Sequence, residues 1–479
     1  MKFIFFSGTK FLKILLGFLV LAFCSGCQKD LLETGNAYAP ESLSTSAALA
    51  GANANNFMVI TKSETLPAGF ETQLSAYGQI VKSIPEIGVV VIKPTASNFE
   101  MKVAKLVEVQ TVVPDLIAKW IDPVKFINES NPPSIGSDEK YFFYQWGLDA
   151  IDAPEAWNAG HTGKTAKVFI LDNGIDAEHP DLAPNLNTAL CTSFVPGEDY
   201  NVDDGFYFHH GTHVAGIIAA ADNSYGVIGV APEAEIVAVK VISEKTGSGA
   251  FSWINAGIVY AANNDADVIN MSLGATFNRN GFYLDDNDVW QKIPAVYLQN
   301  LILAQQRAVN YAFKKGVVII TSAGNGGSNF DGNSSIFTLP AELQDVIAVS
   351  ATAPDYWYKD LLNGIIPDLD IPSSYTDFGK SLVDIAAPGG DYDFYDSPNW
   401  HWDMVLSTIP GGWSWAAGTS MSSPHVAGVA ALIIAKNEGK MSPQEVTKQL
   451  LKTADQIDGN GISAFYGKGR VNAFRAVTE

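Results

Sequence analysis

Five short runs in the second part of the chain are apolar at almost every position: Lys167–Leu171 (KVFIL), Ile236–Val241 (IVAVKV), Val268–Met271 (VINM), Val317–Ile320 (VVII) and Val346–Val349 (VIAV). A strand with one wet face alternates apolar and polar residues. Unbroken runs therefore indicate strands covered on both faces. Helix-length stretches lie between them at His210–Ala221, Ser252–Asn263 and Val296–Lys315, and another follows at Ser420–Lys436. This alternation predicts an α/β domain over residues 138–479, with helices on both sides of a doubly wound, mainly parallel sheet. Upstream the rhythm differs. Phe57–Thr61 (FMVIT) and Gly88–Ile92 (GVVVI) are β-branched runs, the stretches near 69–77 and 97–106 can be helical, and Lys105–Val113 ends in another strand. Strand, helix, strand, strand, helix, strand predicts a small α+β unit over residues 57–120. Residues 121–137 hold three prolines and several turn formers and read as an exposed connector. Residues 27–56, rich in Ala, Ser, Asn and Gly, read as a tether.

The first 26 residues have another character. Lys2, Lys10 and Lys13 give a positive start, and Ile14–Cys24 is an apolar run of 11 residues, too short for a helix to span the ~30 Å of a bilayer. This is the pattern of an export signal. Its Ser25-Gly26-Cys27 ending resembles the lipobox of bacterial lipoproteins. That resemblance implies a lipid on Cys27, a membrane anchor, and a location at the cell envelope or surface. Cys24 stands where the box usually has Leu, and a plain cleaved signal with secretion is the other reading. Composition narrows the classes further. With 47% hydrophobic and 17% charged residues there is ample material for a core. A formal net charge of −21 repels phosphate backbones, so no nucleic-acid partner is expected. Two of the three cysteines lie in the signal region. Cys191 alone can build neither an intramolecular disulfide nor a cysteine zinc site, and it reads as a buried, inert thiol.

In open parallel sheets ligands sit beyond the carboxyl ends of the strands. Three segments stand out there. In Val168–Asp176 (VFILDNGID) a buried strand ends in Asp172, which alone reads as a turn cap. In His209–Gly216 (HHGTHVAG) His210 opens an apolar helix; His210 and His213 could share a metal, but no glutamate lies between them and no third ligand is evident. In Gly418–Gly428 (GTSMSSPHVAG) Ser420 begins a helix threaded with small residues, where a lone serine is usually a cap. Together, in the order Asp, His, Ser, these three segments resemble the subtilisin-like serine proteases, the subtilases, over about residues 138–479. The resemblance implies an endopeptidase with Ser420 as nucleophile, His210 as general base and then acid, and Asp172 orienting the imidazole. Asn325 in Ser322–Gly326 (SAGNG) would complete it as oxyanion donor with the backbone N–H of Ser420.

The same resemblance assigns the cleft. Gly247, Ser248 and Gly249 on one side and Ser272, Leu273 and Gly274 on the other would pair with an extended peptide, with Phe251 walling the pocket four residues before the cut. Ser322, Ala323, Gly324 and Thr338 would join Ser272–Gly274 around the primary pocket. Thr338 at its floor implies a shallow, apolar pocket for medium side chains, with no acidic floor residue evident. Calcium is the implied cofactor, held by side chains of Asp138, Asp181 and Asn223 and by carbonyls of Ala221, Tyr225 and Val227. A solvated turn without metal is the plainer reading of that loop. Residues 57–120, placed just before a subtilase, resemble its inhibitor-like propeptide, which makes the protein a zymogen cut between Asp115 and Glu139. Insertions at Phe277–Ile293, Pro354–Ile371 and Asp391–Met404 are aromatic and acidic; they read as loop decoration or as a rim restricting the cleft. An envelope interaction protein that kept the fold without turnover is the second functional class. Retention of Asn325 beside Asp172, His210 and Ser420 favours the enzyme.

Overall fold

The unbroken apolar runs do become strands of one sheet with both faces buried. In the computed structural model, which describes residues 56–120 and 139–479 apart from 96, 203–208, 286–288, 334, 358–359, 361–362, 393–398 and 460, β6 (Lys167–Asp172), β8 (Glu235–Lys240), β10 (Val268–Met271), β14 (Val318–Ser322), β16 (Ile347–Ala353) and β18 (Ile385–Pro388) lie parallel. The spatial order runs β16-β14-β10-β6-β8, with β7 (Thr192–Ser193) beyond β8, and β17 (Ile371–Pro372) and β18 beside β16. Successive residues face opposite sides of a strand. Val168 and Ile170 enter one apolar cluster with the Ser420 helix, while Phe169 and Leu171 enter another with helices Phe251–Asn263 and Ala295–Lys314. That is why β6 shows no polar alternation: neither face meets water.

The upstream unit forms as read. β1 (Phe57–Thr61), β2 (Gly78–Ile84), β3 (Val89–Pro94) and β4 (Val109–Pro114) make an antiparallel sheet in the order β2-β3-β1-β4, with helices Phe70–Leu74 and Phe99–Val103 on one face. Its strands are also apolar on both faces. Val59, Val90 and Ile92 pack on the unit's own helices, whereas Met58, Ile60, Val89 and Val91 pack into the cluster of helices Phe251–Asn263 and Ala295–Lys314. Polar contacts pin this second face: Arg307 donates to the Thr61 carbonyl (3.1 Å) and Gln110 (3.0 Å), and the Tyr297 hydroxyl donates to Glu100 (2.9 Å).

The sequence reading did not foresee two features. The Phe277–Ile293 insertion is ordered as β11 (Ala275–Asn278), β12 (Phe282–Leu284) and β13 (Trp290–Lys292), which extend an antiparallel sheet from β15 (Ile336–Leu339). In the Asp391–Met404 insertion, Trp402 packs edge-on against Tyr144 at 4.8 Å and Asp403 accepts N–H bonds from Tyr356 and Trp357. Burial raises the Asp403 carboxyl to about 7. Cys191 is half-buried between the Asn187 carbonyl and the Ala238 N–H, and burial pushes its thiol up to about 11, as an inert role requires. The signal, Cys27, the tether up to residue 55, the connector and Asp138 lie outside the described residues. Among those described, no helix is long and apolar enough to cross a membrane.

Candidate active site

Asp172 is the last residue of β6 and is buried. Its main-chain carbonyl takes N–H bonds from Val241 and Ile242 (2.9 and 3.2 Å), which fixes the strand end. Its carboxylate meets Nδ1 of His210 with both oxygens at 2.9 Å, and Oδ1 also accepts the Asn173 N–H (2.7 Å). An imidazole held this way must carry its proton on Nδ1, which leaves Nε2 as the basic nitrogen. His210 is fully buried at the start of helix His210–Ala219, and its Nε2 has no hydrogen-bond partner among the described residues. The neighbouring histidines differ. His213 faces the Ser414 carbonyl and His425 the Met421 carbonyl, and burial pushes them down to about 3 and about 4. Burial thus favours the neutral form of both.

Ser420 opens helix Thr419–Lys436, which packs against the His210 helix. The residue is 6% exposed, and its hydroxyl donates to the Ser272 carbonyl at 3.3 Å, a long bond that leaves it free to turn. Ser272 in turn donates to the Ser420 carbonyl (2.8 Å) and meets Ser423 Oγ (2.8 Å), locking the helix start to the end of β10. Asn325 follows β14. The N–H of Thr419 can only donate, and it points at Asn325 Oδ1 (2.9 Å), as does the Thr419 hydroxyl (2.8 Å). The amide is thereby oriented, and Nδ2 turns toward Gly418, where a Cβ would lie 3.6 Å away.

The cleft residues assemble along a piece of the chain itself. β5 (Ile117–Lys119) pairs antiparallel with β9 (Ser248–Ala250), and the main chain extends the ladder on both sides: Phe251 N–H to the Leu116 carbonyl, Trp120 N–H to the Gly247 carbonyl. From the other edge Gly274 donates to the Trp120 carbonyl at 2.7 Å. The Trp120 indole is 1% exposed, donates to the Gly249 carbonyl (2.7 Å), and lies edge-on to Phe251 and Phe277. Asp115 caps the next helix through Ser252 N–H (3.2 Å) and hydroxyl (2.5 Å), and burial raises its carboxyl to about 6.

Beyond Trp120 opens a cavity of about 190 Å³, lined by Gly274, Ser322, Gly324, Asn325, Thr338 and Ser420 together with Leu284 and Trp290 of the insertion. Of the three insertions, the first supplies lining residues to this cavity. Asp377 also lines the cavity. Its Oδ1 takes the Ser328 N–H (2.8 Å), and a Cβ on Gly324, whose φ is +119°, would lie 2.2 Å from Oδ2. The sequence reading, which named no acid at the pocket floor, did not place Asp377 among the lining residues. No local motif marks Asp377, because only the reversal between β16 and β18 brings it beside the Asn325 loop.

The calcium ligands divide differently from expectation. Asp181 and Asn223 meet, Oδ1 to Nδ2 at 3.3 Å, yet Asp181 Oδ2 faces the Val227 N–H (3.0 Å) and the Trp413 indole N–H (2.7 Å). Glu139, one residue beyond Asp138, accepts N–H bonds from the same loop. Calcium needs six to eight converging oxygens. Here N–H donors converge on the Asp181 and Glu139 carboxylates. The described side chains of this set, Asp181 and Asn223, thus face protein donors and each other rather than a shared cation, and Asp138 lies outside the described residues.

A basic imidazole nitrogen on a buried carboxylate, a helix-start serine and an oriented amide, set along a peptide-binding edge, are the parts of an acyl-transfer site. Residues 163–469 match the Subtilase family, and the chain belongs to it. It is 38% identical over 328 residues to subtilisin of Bacillus pumilus, covering 68% of this chain and 96% of that protein, and 35% identical over 346 residues to thermitase of Thermoactinomyces vulgaris, covering 71% and 98%. The fold is shared with the solved epidermin leader peptide processing serine protease of Staphylococcus aureus, with a TM-score of 0.69 over 88% of this chain and 97% of that one at 24% identity. The protein is therefore a subtilisin-like serine protease.

Proposed function

We propose that the protein is an exported endopeptidase, made as a zymogen, in which Ser420 attacks the substrate carbonyl. The Ser420 Oγ–C bond forms as the hydroxyl proton passes to Nε2 of His210. The peptide C–N bond then breaks as that proton goes to the leaving amine, giving an acyl-enzyme and a new amino terminus. Water repeats the sequence on the ester and restores Ser420. Asp172 holds the Nδ1 proton and balances the imidazolium. Asn325 Nδ2 and the Ser420 N–H receive the negative oxygen of each tetrahedral intermediate. Residues 57–120 act as the propeptide, 138–479 as the catalytic domain, and Cys27 as the lipidated anchor following signal 1–26.

The observation that carries this reading is the path of Leu116–Trp120. The chain's own strand runs along Gly247–Phe251 as a peptide substrate would, and Lys119 and Trp120 line the same cavity as Ser420 and Asn325. A strand bound on both edges by main-chain bonds demands little of its sequence, so the side-chain pockets set preference. The cut that releases the propeptide falls between Trp120 and Glu139. N-terminal sequencing and intact mass of the exported protein test this. The wild type should begin between residues 121 and 139, and Ser420→Ala should keep the upstream segment. Equal processing of both would remove the self-cleavage step. A lipid mass on Cys27 before processing would support the anchor, and its absence would favour plain secretion.

A further inference from the structure

We propose that the loop Asp222–Ile228 is fixed by carboxylates of this chain at the place where calcium was expected, so that the loop keeps its form without a metal. Six consecutive backbone N–H groups carry the case. Those of Asn223 and Ser224 bond Glu139 Oε1, both at 2.6 Å; those of Tyr225 and Gly226 bond Oε2, both at 3.0 Å. Val227 N–H bonds Asp181 Oδ2 at 3.0 Å, and Ile228 N–H bonds Gln145 Oε1 at 3.0 Å. Ser224 adopts φ +61°, the left-handed turn that lets neighbouring N–H groups face one side. A concavity of this kind receives an anion. Glu139 and Asp181 are 1% and 0% exposed.

Two buried carboxylates close enough to repel each other need compensation. A cation is one solution; inward N–H dipoles are another, and this loop has the second. The packing depends on it too. A Cβ at Gly226 would lie 2.2 Å from Asp181 Oδ2 and 2.3 Å from the Trp413 indole nitrogen, so only glycine lets the loop close on its anions. Tyr141 N–H to the Gly226 carbonyl (2.9 Å) completes the tie between the start of the catalytic domain and the loop after the His210 helix.

Amide hydrogen exchange of residues 223–228 tests this in the full chain, read peptide by peptide so that a metal elsewhere does not confuse the result. The expected result is equal protection in excess chelator and in millimolar calcium, with about ten- to a hundredfold faster exchange in Glu139→Gln. Glu139→Asp keeps the charge but is one methylene short, so it should loosen the amides of Tyr225 and Gly226 with no recovery on adding calcium; it serves as the reading if Glu139→Gln fails to fold. Slower exchange of these amides on adding calcium to the wild type or to Glu139→Asp, or unchanged protection in Glu139→Gln, would overturn the proposal.

Discussion

His210 shows how little separates the proposed base from a structural histidine. His213 and His425 are also buried, but each faces a carbonyl, and burial is the largest influence on them and favours their neutral form. His210 faces a carboxylate through Nδ1, and its Nε2 has no partner among the described residues. Asn325 is the most separable test at this scale, because the oxyanion role proposed for its amide acts on charge that exists only in the transition state. Asn325→Ala should lower kcat by about 10²–10³ with KM little changed, a magnitude known from subtilisin itself. A rise in KM at constant kcat would place Asn325 in ground-state binding instead. Asp172, His210, Ser420 and Asn325 were legible because each sits in a local wording long enough to recognise. Asp377 and Glu139 were not. The first reaches the cavity only through a chain reversal, and the second does its work on a loop far along the sequence.

The elements that matter most beyond the sheet are β5 and the strand edges that hold it. Asp115 stands just before β5 and is buried against the Phe251 helix, with its carboxyl raised by burial to about 6 from the ordinary 3.8. A raised acid favours the docked state while protonated. The contribution is complete below about pH 4 and is lost as pH rises through about 6, amounting to at most about 3 kcal/mol. In the inactive Ser420→Ala chain, protection of the Ala118–Trp120 amides, corrected for intrinsic exchange, should therefore fall between pH 4 and 7. Asp115→Asn should flatten that dependence, and a slope that survives the substitution would assign it to another group. Trp120→Ala removes a buried indole and its bond to Gly249, and should weaken the docked segment by about 3–5 kcal/mol. It would be seen as peptide hydrolysis by the unprocessed chain. Element types in the upstream unit were legible from its β-branched runs. Where β5 goes was not, since main-chain pairing carries no side-chain signature.

At the scale of the whole molecule, both the upstream sheet and the main sheet are apolar on two faces, and each finds cover on both. The sequence pattern announced this for the main sheet. For the upstream sheet, the same pattern meant that its second face is covered by the catalytic domain. The buried neutral histidines give the molecule an acid limit. Their pKa values in the fold lie below the 6.5 of the free side chain, so their share of stability is present above pH 6.5 and is lost as pH falls from there toward 3–4. Each costs up to about 1.4 kcal/mol per pH unit over that window. The raised carboxyls of Asp115 and Asp403 act in the opposite sense over the same window, so the test is made by difference: in Ser420→Ala, which cannot digest itself, adding His425→Gln should make the melting temperature fall less steeply from pH 6.5 to 4, and an unchanged slope would contradict the burial of His425. The central claim, that one serine activated by one histidine does the chemistry, is tested most directly by mass mapping after a fluorophosphonate probe. The account predicts a single adduct on Ser420, absent in His210→Ala. Label on another residue of the active protein, or undiminished labelling of Ser420 in His210→Ala, would contradict it.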